Sequence, residues 1–190
     1  MASAGRVAPG QPGDLTLFVA ATTDVHGHLV GWDYYGNRAD SSRGLSRAAT
    51  IVDSLRAAAP GRVVLVDAGD MLQGTPLTYV AARRDTFQVH PVIAAMNAMQ
   101  YDAAAVGNHE FNYGLPLLAT WIHQMKAPVL GANAVSAKTG RPAYLPFVIK
   151  TMNVKGDKPV KVGVLGLTNP GVAIWDKANV EGKLRFTDLV

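Results

Sequence analysis

Three short clusters hold the side chains best suited to chemistry in this 190-residue chain: Asp24-Val-His26, Gly69-Asp70 and Gly107-Asn108-His109-Glu110. Side chains two apart on an extended backbone point the same way, so Asp24 and His26 can offer a carboxylate and an imidazole to one cation. Such a pair also arises often without a metal. Asp70 stands in a glycine-lined turn that runs to Gly74, where one carboxylate can give an oxygen to each of two metals. A helix-capping aspartate would occupy the same kind of turn. Asn108 carries a hard oxygen donor of the sort that divalent cations take. Histidine is the side chain most used to hand a proton to a departing oxygen, and His109 stands beside Asn108.

These clusters need elements to carry them, and the pattern alternates strand and helix. Leu15, Leu17, Val19 and Ala21 alternate as a strand would, and Thr22-Thr-Asp24 ends it. Leu45, Ala48, Ala49, Val52 and Leu55 follow helical spacing up to Ala59-Pro60-Gly61. A buried-type strand, Val63 to Val66, then leads into the second cluster. Thr75-Pro76 and His90-Pro91 each have the form of an N-cap with proline at the first helical position. Their helices are expected to run to about Arg84 and Gln100. A short strand, Ala103 to Val106, precedes the third cluster, and Leu115, Leu118, Ile122 and Met125 line one face of a further helix. Strands are expected at Val129–Ala132, Tyr144–Lys150 and Val160–Leu167, the last two joined as a hairpin by Lys155-Gly-Asp-Lys158. This order predicts an α/β fold with a mixed sheet that is parallel in part. All three clusters fall where ligands gather in such folds, beyond the carboxyl ends of strands.

Composition narrows the classes. With 48% hydrophobic residues the chain can bury a real core, and its apolar runs fall far short of the ~20 residues that span a membrane. There is no cysteine, which excludes disulfides, thiolate-bound zinc and thiol nucleophiles. The formal charge of +4 and pI near 9.4 suit anionic ligands, but no basic run with interleaved aromatics points to a nucleic acid polymer. Residues 1–13, rich in Ala, Gly and Pro without an apolar stretch, read as a flexible leader rather than an intact signal peptide.

In combination the three clusters resemble the calcineurin-like metallophosphoesterase superfamily. The segments Asp33-Tyr-Tyr35, Val89-His-Pro-Val92, Gly107-Asn-His-Glu-Phe-Asn-Tyr-Gly-Leu115 and Trp175-Asp-Lys-Ala-Asn179 are similar to one branch of it. That branch comprises the bifunctional 2′,3′-cyclic-nucleotide 2′-phosphodiesterase/3′-nucleotidases, relatives of the bacterial 5′-nucleotidases. The likeness runs from Asp14 to Val190. It implies mixed sheets flanked by helices in a four-layer sandwich, incomplete here at its C-terminal end. It also implies two divalent ions, zinc, manganese or iron. Asp24 and His26 match ligands of one metal, Asp70 the bridging ligand and Asn108 a ligand of the other, while Asn108 and His109 match residues that meet the substrate phosphate. His109 matches the group that assists the leaving ribose oxygen. Nucleotide phosphate esters are the implied substrates, and the periplasm or cell wall the implied location.

Two departures qualify the match. An aspartate commonly follows the catalytic histidine by three residues in 5′-nucleotidases, whereas Asn112 stands here, as in the cyclic phosphodiesterase branch. The later Gly-His and Gly-His-x-His that complete the family's site, and its nucleotide-binding C-terminal domain, are absent before Val190. Residues 14–190 are thus expected to be the N-terminal part of a catalytic domain whose remaining portion is a missing partner. A 5′-nucleotidase or UDP-sugar hydrolase, or a binding module that has lost its site, are the alternatives. Among the other polar residues, His28 is a possible site-lining group, His90 a helix cap and His123 a solvated side chain. Asp67 reads as structural, and Glu110 as bonded within its own turn.

Overall fold

The computed structural model describes residues 15–84 and 88–189; the leader expected at 1–13 lies outside them. Its elements run β1 (Phe18–Thr22), β2 (Trp32–Asp33), β3 (Arg38–Ala39), α1 (Leu45–Ala58), β4 (Val63–Asp67), α2 (Pro76–Arg83), α3 (Pro91–Met99) and β5 (Ala103–Ala105). A 3₁₀ turn, His109–Phe111, then precedes α4 (Leu115–Gln124), β6 (Val129–Leu130), β7 (Ala134–Ser136), β8 (Phe147–Met152), β9 (Val160–Leu165), α5 (Val172–Trp175), α6 (Lys177–Val180) and β10 (Leu184–Phe186).

The central sheet is parallel, with order β1-β4-β5-β6. Its inner strand β4 is an unbroken run, Val63-Val-Leu-Val-Asp67, buried throughout except at Val66, which is partly buried. Leu65 is fully buried and packs in one core with Leu45 and Val52 of α1, Val92, Ile93 and Met96 of α3, and Trp121 of α4. β1, β4 and β5 are adjacent in the sheet, so their carboxyl ends, and the three clusters that follow them, lie side by side.

Both expected proline-led helix starts are present. Thr75 caps α2 with a reciprocal pair of bonds to Thr78. The Nδ1 of His90 accepts the Val92 N–H at 3.3 Å, and its ring packs edge-on against Trp121. His123 is exposed, as expected.

The later strands are shorter than the sequence suggests, or are shifted. β6 stops at Leu130 because Gly131 and Ala132 turn their N–H groups to Leu145 and Gly166 instead of extending the β5 ladder. β8 begins at Phe147, after Tyr144 has turned inward against Phe111 and Pro146 has removed a donor. The hairpin of β8 and β9 pairs Phe147 with Leu165 and Met152 with Val160. Two small antiparallel pairs, β2-β3 and β7-β10, have no counterpart in the expected pattern.

One face of that hairpin is apolar and open. Phe147, Ile149 and Leu165 are 55%, 56% and 59% exposed, and the register puts them on the same side. A monomer rarely leaves such a patch to water. The chain should therefore self-associate, and a Phe147→Thr/Ile149→Thr/Leu165→Thr variant should shift it toward monomer in light scattering. A wild-type chain that is monomeric at high concentration would contradict this.

His90 makes stability depend on acid. Burial pushes its pKa from the ordinary 6.5 down to about 4, so the fold prefers the neutral ring. Its contribution is complete above pH 6.5 and is lost as pH falls from there toward 4, amounting to roughly 3 kcal/mol. His90→Asn, which keeps a capping acceptor, should flatten the decline in urea midpoint across that window. An equal decline in both proteins would rule out His90 as its source.

Candidate functional site

Backbone bonding joins the first cluster to the second. The N–H groups of Asp24, His26 and Gly27 donate to the carbonyls of Gly69, Asp70 and Met71. Three residues of this seam, Asp24, His26 and Asp70, hold positive φ angles of 52°, 47° and 59°. The left-handed region is costly for residues with a Cβ and gathers where a site demands it. Only two other non-glycine residues among those described, Asn37 and Gln100, share it.

Glu110 joins the second cluster to the third. Its carboxylate is buried and accepts four backbone N–H groups, from Asp70, Met71, Leu72 and Gly107, at 2.8–3.1 Å. Only the bond to Gly107 lies within its own turn, so the sequence-based expectation captured one contact in four. In return, Asp70 Oδ1 accepts the His109 N–H at 2.8 Å. The approach leaves no room for a side chain at Gly107, where a Cβ would lie 2.4 Å from both Asp70 N and Oδ1.

This construction brings His26, Asp70 and His109 together, each offering one ligand atom within 4.8 Å of the others. The two imidazoles meet edge to face, with centroids 4.8 Å apart. His26 Nδ1 donates to the Gln73 carbonyl at 2.8 Å, which leaves Nε2 with its lone pair free. Asp24 lies outside that triplet, more exposed, with Oδ1 3.5 Å from His26 Nε2. Asn108 directly precedes His109 at the start of the 3₁₀ turn.

The donor set fits a divalent cation. It mixes carboxylate oxygen with imidazole nitrogen, and one imidazole is already oriented by a carbonyl, as ligating histidines usually are.

Asp67 lies behind the edge, not in it. It is buried, accepts bonds from Thr22 Oγ1 and the Gly69 N–H, and has its pKa pushed up to about 7 by burial. His28 has Nδ1 buried without a hydrogen-bond partner among the described residues and approaches Arg43 at 3.3 Å through Nε2. Sequence reasoning overlooked the long-range bonds of Glu110, the Gln73 carbonyl and Asp176, which holds Asn112 from 64 residues away. The glycines flanking Asp70 and preceding Asn108 were the available sign that the two turns pack closely.

No protein-family model matches the chain. It is 40% identical over 183 residues to the 2′,3′-cyclic-nucleotide 2′-phosphodiesterase/3′-nucleotidase of Haemophilus influenzae, covering 93% of this chain and 28% of that protein. The trifunctional nucleotide phosphoesterase YfkN of Bacillus subtilis is 37% identical over 184 residues, 92% of this chain and 12% of the relative. The chain thus spans under a third of the curated relatives it matches. A solved structure of the calcineurin-like phosphoesterase YfkN from Bacillus subtilis superposes with a TM-score of 0.85 at 38% identity, covering 92% of this chain and 55% of that one. A 5′-nucleotidase precursor from Thermus thermophilus gives 0.68 at 27% identity, covering 92% and 32%. Along the stretch it covers, the chain belongs to the calcineurin-like phosphoesterases, among relatives of the 2′,3′-cyclic-nucleotide 2′-phosphodiesterase/3′-nucleotidases.

Proposed function

We propose that this chain is the N-terminal part of a catalytic domain that hydrolyses nucleotide phosphate esters, with 2′,3′-cyclic nucleotides and 3′-nucleotides as substrates. The convergence of His26, Asp70 and His109 at three adjacent strand ends carries the reading. The names of the relatives support the substrate class.

Asp24, His26, Asp70 and Asn108 would hold two divalent ions, of zinc, manganese or iron type. Such ions supply Lewis-acid neutralisation of the phosphoryl oxygens when bound. The protein's own part is positional. Asp70 is fixed by the Glu110 and His109 bonds, and His26 by Gln73, so the donors need little reorganisation on binding. His109 and Asn108 would meet the phosphate, with His109 passing a proton to the ribose oxygen as it leaves. Its Nδ1 is engaged by Asn112 at 2.8 Å, so Nε2 is the atom available for that transfer, and the ring that hands the proton over carries one on both nitrogens.

Asn112, where an aspartate would suggest a 5′-nucleotidase, favours the cyclic-nucleotide reading over a 5′-nucleotidase or UDP-sugar hydrolase. Location in the periplasm or cell wall follows from the resemblance. Among the described residues, no helix is long and apolar enough to cross a membrane.

Two experiments test this. In a protein carrying the chain with its remaining portion, hydrolysis of 2′,3′-cyclic AMP should disappear after EDTA treatment and return with manganese; activity that survives exhaustive chelation would sink the proposal. His109→Asn should lower kcat by roughly 10²–10⁴ with metal content retained, while Asp70→Asn should lose metal and activity together. Loss of metal from His109→Asn would mean that His109 is a ligand instead.

A further inference from the structure

His109 ends a chain of hydrogen bonds that reaches into the interior. Its Nδ1 lies 2.8 Å from Asn112 Oδ1, and Asn112 Nδ2 donates to Asp176 Oδ1 at 2.9 Å. Asp176 is buried at the junction of α5 and α6, and its second oxygen, Oδ2, is buried with no hydrogen-bond partner among the described residues. Two further bonds seat this segment on the same loop, from Asn179 Nδ2 to the carbonyls of Phe111 and Asn112.

The chain has a direction. A carboxylate only accepts, so Asn112 must present its NH₂ group to Asp176. The amide oxygen then faces His109, and an amide oxygen also only accepts. The neutral His109 ring must therefore carry its proton on Nδ1, which leaves the lone pair on Nε2. A free neutral imidazole prefers the opposite tautomer, with the proton on Nε2. Without Asp176 nothing would stop Asn112 from turning over and offering its NH₂ to the ring.

We infer that Asp176 is a positioning residue for His109, setting its tautomer through Asn112. Among the described residues its side chain hydrogen-bonds to Asn112 and to none of the candidate ligands. It provides at one remove what a carboxylate at position 112 would provide directly. The half-unpaired buried carboxylate is hard to justify as a structural anchor, since burying an oxygen without a donor is unfavourable. As the acceptor that orients Asn112, it has a use. The inference deepens the role proposed for His109, yet its test needs neither metal nor turnover.

The tautomer is read from long-range proton–nitrogen NMR spectra of the nitrogen-labelled chain in alkaline buffer. Wild type should show the Nδ1–H pattern for His109. Asp176→Asn, which keeps the shape, should lose that pattern in favour of Nε2–H or an averaged signal, while the signals of His28, His90 and His123 stay in place. Asn112→Ala should have the same effect with Asp176 itself kept in place. The N112D/D176N exchange should restore the pattern, because the carboxylate now accepts from His109 directly and the amide at 176 donates to it. A purely structural role would leave the tautomer unchanged in folded Asp176→Asn. That result, an Nε2–H pattern in wild type, or an exchange variant that folds without regaining Nδ1–H would overturn the inference. Should Asp176→Asn not fold, Asn112→Ala and the exchange variant decide it. Failure of the EDTA and manganese experiment would leave the tautomer result standing, so the two readings fall separately.

Discussion

The carboxylate of Glu110 is the interaction on which the functional edge depends. It sits in the interior, where burial raises its pKa, and four backbone amides that point at it oppose that rise. Charge-assisted bonds of this kind are about twice as strong as neutral ones. Their loss would strand four N–H groups with no water to replace the acceptor. Glu110 and Asp70 also make a reciprocal lock: the first takes the amide of Asp70, and the second takes the amide of His109. The positions of Asp70 and His109 are thereby one variable.

That lock explains how the edge tolerates its backbone strain. Asp24, His26 and Asp70 each adopt a left-handed conformation that costs on the order of 1 kcal/mol for a residue with a side chain. An isolated turn would relax to a right-handed form. Here the seam between the first two turns is bonded residue by residue, and the second turn is pinned from below by Glu110. Relaxing any one of the three would break several of these bonds at once. The parallel order β1-β4-β5 makes the arrangement possible, since it sets the three turns next to one another before any side chain is considered.

How much of this could be read from the sequence follows from the range of the forces involved. Periodicity and capping are local, so α1, α2, α3 and α4 and the strands β4 and β5 are legible within a residue or two of their ends. β1 instead starts three residues after Leu15 and turns Val19 and Ala21 outward, with Ala20 on the core side. Thr75 and His90 announce their helices because a cap and a proline act within one turn. β6 and β8 are less legible because their limits are set by pairing with distant segments, such as the bridge between Leu130 and Leu145. The small pairs β2-β3 and β7-β10 carry too few residues for a two-residue period to emerge.

The site divides along the same line. That three turns meet at one edge is legible, because motif and strand end coincide at Asp24, Asp70 and Asn108. What holds them is not, because Glu110 reaches 38 to 40 residues back and Asp176 reaches 64. Asn112 illustrates the limit. In sequence it is a substitution of an amide for a carboxylate, which by itself only removes a charge beside His109. In the structure that amide has two ends, and the second meets the carboxylate of Asp176. An amide transmits orientation between two partners because one end only donates and the other only accepts. A carboxylate at 112 would orient the ring alone. The residue type at 112 therefore acquires its meaning from a partner that no local pattern could supply.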